Sequence, residues 1–189
     1  MDIKFTPPPG FQRRLTALDL KGFTPLEQSQ APLKLPAIAM TLHRSRVILL
    51  AEDDENDVML MKMAHARVRM ANPLRVVTDG GKVIEYLDGQ GEFADRTRAP
   101  LPCLLLLDLK MPKKNGFEVL SWIRSKPVLK RLTVVVFTSS QESRDINLAY
   151  DLGANSYAVK QGNLDGLIDV LKRLEGWWVG VNKIPILGE

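Results

Sequence analysis

The amino-acid sequence predicts an α/β protein built on a doubly wound, five-stranded parallel sheet. Three observations predict it. Leu104–Leu107 is a run of leucines without polar alternation, the pattern of a strand buried on both faces in the middle of a parallel sheet. Comparable short apolar runs recur along the chain, each followed by apolar residues at helical spacing, so strands alternate with helices. The leucine run stops on Asp108, a carboxylate that cannot be hidden without a partner. It therefore belongs at the carboxyl edge of the sheet, where open α/β folds bind ligands.

The first strand is VILLA at 47–51, followed at once by Glu52, Asp53, Asp54 and Glu55. Four acids in sequence repel one another, and solvent, a helix N-terminus or a cation must compensate. Val58, Met61, Ala64 and Val68 then give one face of a helix running to about Arg69, and Asn72-Pro73 ends it. Residues 74–78 form a short strand, Asp79-Gly80-Gly81 a turn, and Val83, Ile84 and Leu87 a second helix face. A long polar loop, 89–102, leads to the leucine strand. Pro112, Asn115 and Gly116 mark the loop after Asp108, and Phe117, Leu120 and Ile123 the helix beyond, which ends near Ser125. Residues 133–137 are a fourth, β-branched strand ending in Thr138-Ser139-Ser140. Ile146, Ala149 and Leu152 mark a helix closed by Gly153. Residues 156–159 are the fifth strand, delivering Lys160, and Asn163 caps a last helix with Leu167, Leu171, Leu174 and Trp178 on one face.

Composition bounds the rest. With 45% hydrophobic residues the chain can bury a core, and Cys103, the single cysteine, has no partner for a disulfide, which points to a reducing cytoplasm. No apolar run approaches the ~18 residues that span a bilayer, and no signal peptide is recognisable, so a soluble protein is expected. The net charge of +4 is carried mostly by residues 1–45, a Pro-rich basic segment read as a flexible tail with one short helical stretch at 12–20. A basic tail beside a near-neutral body gives little support for nucleic-acid binding.

The predicted sheet edge collects Glu52, Asp53, Asp108, Thr138 and Lys160. Three carboxylates are a hard-oxygen site suited to Mg²⁺. Lys160 and Thr138 can neutralise and hydrogen-bond phosphoryl oxygens, which leaves Asp108 as nucleophile for an acyl phosphate.

ILLAEDDENDVML from Ile48, LLLLDLKMPKKNG from Leu104, VVVFTSSQ from Val134 and LGANSYAVK from Leu152 together resemble the receiver domain of two-component response regulators, a flavodoxin-like (βα)5 fold. The resemblance covers residues 46–178 and is strongest to single-domain regulators that partner bacterial phytochromes, which share the long loop before the acceptor strand and an aromatic-rich C-terminal end. It implies a phosphoacceptor signalling protein, not an enzyme with a separate substrate, which assists its own phosphorylation and dephosphorylation. Asp108 would be the phosphoacceptor, Glu52, Asp53, Asp108 and the carbonyl of Lys110 the Mg²⁺ ligands, and Thr138 and Lys160 the groups around the phosphoryl. Tyr157 would be the aromatic that changes rotamer with Thr138. The donor would be a phosphohistidine on a sensor histidine kinase, of phytochrome type on the analogy. Asp54 and Glu55 match no required acid and read as solvated helix-start residues, and His43 and His65 as surface histidines.

The chain departs from the family after Lys160, where Gln161-Gly162 replaces the usual proline. A cis bond there would cost ~3 kcal/mol, so a different loop geometry is expected, accommodated by Gly162. Lys113-Lys114 reads as a solvated loop, with attraction of an acidic kinase surface as the sharper alternative.

Rival classes fare worse. A haloacid-dehalogenase phosphatase needs a second Asp where Lys110 stands, and a flavin-binding relative should not open its first loop with Glu52-Asp53-Asp54. The remaining alternative is a receiver-fold docking module that acts without phosphorylation. Residues 179–189 form a short apolar tail with no length for a DNA-binding domain, so output is expected through a downstream protein target or phosphate relay. Trp177, Trp178, Val181 and Ile184 are expected either to cover a homodimer contact or to fold back on the domain.

Overall fold

A computed structural model describes residues 47–185 and Leu187. The proline-rich segment, its helical stretch at 12–20 and His43 lie outside the described residues. The elements are β1 (Ile48–Ala51), α1 (Glu55–Val68), β2 (Leu74–Val77), α2 (Gly80–Asp88), β3 (Leu104–Leu107), α3 (Gly116–Ser125), β4 (Val134–Thr138), α4 (Ser143–Asp151), β5 (Ser156–Val159) and α5 (Leu164–Leu174). The five strands form one sheet in the order β2-β1-β3-β4-β5, every pair parallel.

The leucine run shows why periodicity was silent there. Ile48, Leu50, Leu104 and Leu106 face one side, where they meet Met61 and Ala64 of α1 and Leu167, Leu171 and Leu174 of α5. Leu49, Ala51, Leu105 and Leu107 face the other, against Val83, Tyr86 and Leu87 of α2 and Val119, Leu120 and Ile123 of α3. Alternate residues enter different apolar layers, so the central strands β1 and β3 are hydrophobic throughout. Burying each leucine contributes roughly 2 kcal/mol. β5 lies at the sheet edge and is only half-buried along its length.

Side-chain caps start every helix but α4. Asp54 Oδ1 accepts from the amides of Asn56 (2.7 Å) and Asp57 (3.2 Å) at α1. Asn115 and Glu118 form a reciprocal capping box at α3, and Asn163 accepts from Gly166 N at α5. Gly153 follows α4 with φ 91° and its amide donates to Tyr150 O, the expected helix stop. The 89–102 loop contains a 3₁₀ turn, Gly91–Phe93, and is tied down by Arg96, whose guanidinium donates to the carbonyls of Tyr86 (2.6 Å) and Leu87 (2.7 Å).

Three expectations are refined by the structure. No peptide bond among the described residues is cis, and Gly162 does not occupy the left-handed region, so the Gln161 loop needs no special glycine conformation. His65 is not a free surface histidine: it is half-buried, with Nε2 2.8 Å from Asn72 O. Lys113 is solvated, its side chain 66% exposed, but its ammonium also lies 2.8 Å from Asp79 Oδ2.

After α5 the chain continues as a π-helical stretch, Glu175–Val181. Trp178, Val179 and Ile184 pack back against the α1/α5 layer, and Leu187 against the opposite one. Trp177 and Val181 stay exposed, at 59% and 63%. No helix among the described residues is long and apolar enough to cross a membrane.

Candidate functional site

Ala51 and Leu107 are direct partners in the β1/β3 register, so Glu52 and Asp108 leave neighbouring strands at the same level. The Asp108 amide donates to Ala51 O at 3.1 Å, and the Glu52 amide to Val77 O at 3.0 Å, which fixes both backbones. Both side chains are buried, while Asp53 beside them is exposed. One oxygen from each of Glu52, Asp53 and Asp108 can be chosen so that all lie within 4.8 Å of one another. The expected acid cluster is therefore assembled.

Lys160 enters from the end of β5, its amide donating to Thr138 O at 2.8 Å. Its ammonium lies 2.5 Å from Glu52 Oε2, 2.9 Å from Asp57 Oδ2 and 3.7 Å from Asp108 Oδ2. Burial works against the charge of Lys160, but its bonds to Glu52 and Asp57 outweigh it and raise the pKa. Burial likewise pushes the Glu52 carboxyl up to about 7, although Lys160 pulls the other way. The two tendencies conflict over Glu52, and the 2.5 Å contact fits the ionised pair.

Asp108 Oδ1 is shielded from solvent and has no hydrogen-bond partner among the described residues. A buried carboxylate oxygen left open is costly unless something else occupies its lone pairs. Together with two more carboxylates at the same edge, it makes a donor set that fits a hard divalent cation of the Mg²⁺ type. Gly116 keeps the loop after Asp108 tight, since a Cβ there would collide with the carbonyl oxygen of Asp108. Lys110 lies in this loop, two residues beyond Asp108.

Thr138 is fully buried at the end of β4, and its Oγ1 accepts weakly from Ser140 N at 3.5 Å. Tyr157 is half-buried against Leu109, Val136 and Ala149, and its hydroxyl donates to Ser140 O at 3.2 Å. Thr138 and Tyr157 thus meet through Ser140, a link that strand-end reasoning missed. Asp57 was missed as well. The available signal was a further acid in the first turn after an acidic strand end, and helix-start preference accounted for it equally well. Asp54 and Glu55 are exposed at the helix start, and Asp54 in addition caps α1.

The fold and this site define a receiver domain. The chain belongs to the response regulator receiver domain family, whose pattern matches residues 48–172. Response regulator Rcp1 of Synechocystis is 36% identical over 140 residues, covering 74% of this chain and 93% of Rcp1. Among solved structures, the phosphorylated cyanobacterial phytochrome response regulator RcpA superposes with a TM-score of 0.69 at 39% identity, covering 75% of this chain and 99% of RcpA. The Mn²⁺-bound form of Rcp1 gives 0.67 at 36% identity, covering 75% of this chain and 99% of that one.

Proposed function

We propose that this chain is a phosphoacceptor of a two-component system, taking a phosphoryl group on Asp108 from a phosphohistidine of a separate sensor histidine kinase. The single observation that carries the reading is the open, buried Oδ1 of Asp108 in an acidic pocket beside a buried lysine. The naming of RcpA as a phytochrome response regulator supports a phytochrome-type kinase as the partner. The cytoplasm is the compartment where such a kinase domain would be met.

Glu52, Asp53, Asp108 and the Lys110 carbonyl would hold Mg²⁺, and the metal-bound form of Rcp1 supports a divalent ion at such a site. When bound, the ion supplies positive charge that offsets repulsion between the carboxylates and the incoming phosphoryl group. The Asp108 carboxylate attacks phosphorus, the P–N bond of the donor breaks, and its electron pair leaves on the imidazole, which is protonated. Lys160, already held charged, turns its ammonium to a phosphoryl oxygen, and the Thr138 hydroxyl donates to another. Moving that hydroxyl disturbs Ser140, and through it Tyr157, so the event reaches the face formed by α4, β5 and α5. A downstream protein reads that face; Trp177 and Val181, exposed beyond α5, offer a separate surface for self-association.

The test is phosphate incorporation into intact protein from a small acyl phosphate, with and without Mg²⁺, beside Asp108→Asn. Mg²⁺-dependent labelling that vanishes in the variant is expected. No labelling with Mg²⁺ and a competent kinase present would leave a docking module that works without phosphorylation.

A further inference from the structure

The loop that follows Asp108 is fastened to a neighbouring element by a side chain the mechanism above does not use. Lys113 has φ 63°, and Arg69 is the only other non-glycine residue among the described ones with positive φ. A lysine held in the left-handed region needs something to keep it there. Its side chain is 66% exposed, but its ammonium lies 2.8 Å from Oδ2 of Asp79, whose side chain is only 8% exposed. Asp79 is itself immobilised, because Oδ1 accepts from the Lys82 amide at 2.7 Å and caps α2.

The backbones meet at the same spot. A Cβ on Gly80 would collide with the carbonyl oxygen of Lys114, so the start of α2 and the acceptor loop are in direct contact. Within the loop, Lys114 N donates to Pro112 O at 2.8 Å and Gly116 N to Leu109 O at 2.9 Å. These bonds shape the loop, and Leu109 and Met111 anchor its start in the apolar layers. The Lys113–Asp79 pair ties its exposed part to the start of α2.

We propose that Lys113 is a positioning residue, the Lys113–Asp79 pair being a strap that holds the Asp108 loop, and with it the Lys110 carbonyl, in the geometry phosphoryl transfer requires. The proposal rests on the phosphoacceptor reading above. Reactions of this kind depend on placement to within about 1 Å, with losses on the order of 100-fold for larger errors. A strap at the loop's apex acts on that placement without touching substrate.

The experiment compares Lys113→Met, Lys113→Arg, Lys113→Gly, Asp79→Asn and the Met/Asn double variant. Read for each are labelling rate against acyl phosphate concentration, Mn²⁺ affinity by calorimetry, amide exchange of residues 110–115 without metal, and thermal unfolding. Lys113→Met and Asp79→Asn are expected to label roughly 3-fold more slowly at saturating donor, the scale a pair with one exposed partner can supply, to bind Mn²⁺ about 2- to 3-fold more weakly and to exchange loop amides faster. The double variant should be no worse than either single one, and Lys113→Arg should be near normal. Lys113→Gly separates the strap from backbone strain: it relieves the positive φ yet should behave like Lys113→Met. Normal labelling and metal affinity in Lys113→Met and Lys113→Gly would overturn the proposal, as would single effects that multiply in the double variant. If the unaltered protein fails to label, the phosphoacceptor reading fails, while metal affinity and amide exchange still decide the strap.

Discussion

Lys160 Nζ lies 2.9 Å from Asp57 Oδ2 although 103 residues separate the two, and the same ammonium touches Glu52 at 2.5 Å. The partners are unequal, because the Glu52 side chain is 3% exposed and that of Asp57 is 41% exposed. An ion pair with a half-exposed partner is screened, so Asp57→Asn should cost less than ~1 kcal/mol. Lys160→Met strands Glu52 in the interior and should cost about 3 kcal/mol. Urea unfolding without divalent cation measures both, and the reverse order would mean that Asp57 is the principal anchor.

Asp79 should give the fold a dependence on acid. Burial favours its neutral form, but the Lys113 ammonium and the Lys82 amide outweigh burial and hold the carboxyl below its ordinary 3.8. A carboxyl whose folded pKa lies below the unfolded one stabilises above the unfolded value, and that stability is lost as pH falls through the folded value. The stability gap between the unaltered protein and Asp79→Asn should therefore be full at pH 6 and shrink below pH ~3.8. A gap constant from pH 6 to pH 2.5 would show that the charge on Asp79 contributes nothing.

Gly116→Ala forces a methyl group onto the Asp108 carbonyl, a backbone atom that cannot rotate away. The acceptor loop must shift, which should cost about 2 kcal/mol and slow labelling roughly 10-fold or more. Gly176→Ala, which meets nothing within 4 Å, is the matched control and should change stability by less than ~0.5 kcal/mol. Equal behaviour of the two variants in unfolding and labelling assays would refute the close approach.

The adjacent tryptophans should separate in the same way. Trp178→Ala removes a ring packed against the α1/α5 layer and should cost about 3 kcal/mol. Trp177→Ala alters an exposed ring and should leave the denaturation midpoint within ~0.5 kcal/mol. If sedimentation shows association that Trp177→Ala abolishes, the exposed ring covers a contact between copies; a monomer at high concentration in both proteins excludes it.

Much of the site was legible because each residue stands at a strand end. Glu52, Asp108, Thr138 and Lys160 each end or follow an apolar run, and in a parallel sheet all such ends lie on one edge. The Asp57–Lys160 pair was not legible. Asp57 already fitted a local rule as an acid in the first turn of a helix, and its second role depends on how far a lysine from an edge strand reaches across the sheet. Lys113 was hidden similarly: on a polar loop a lysine reads as solvated, and its partner Asp79 reads as a turn residue.

The sequence by itself determined the alternation of strands and helices, the two-sided burial of the central strands and the carboxylate edge, because these follow from local periodicity and from the cost of burying unpaired charge. Only the tertiary structure decided which acid holds Lys160, that Lys113 pairs with Asp79, and which tryptophan folds back. Those outcomes turn on distances of a few ångströms between elements far apart in the chain, where ion pairing and packing are settled by the assembled geometry rather than by neighbours in sequence.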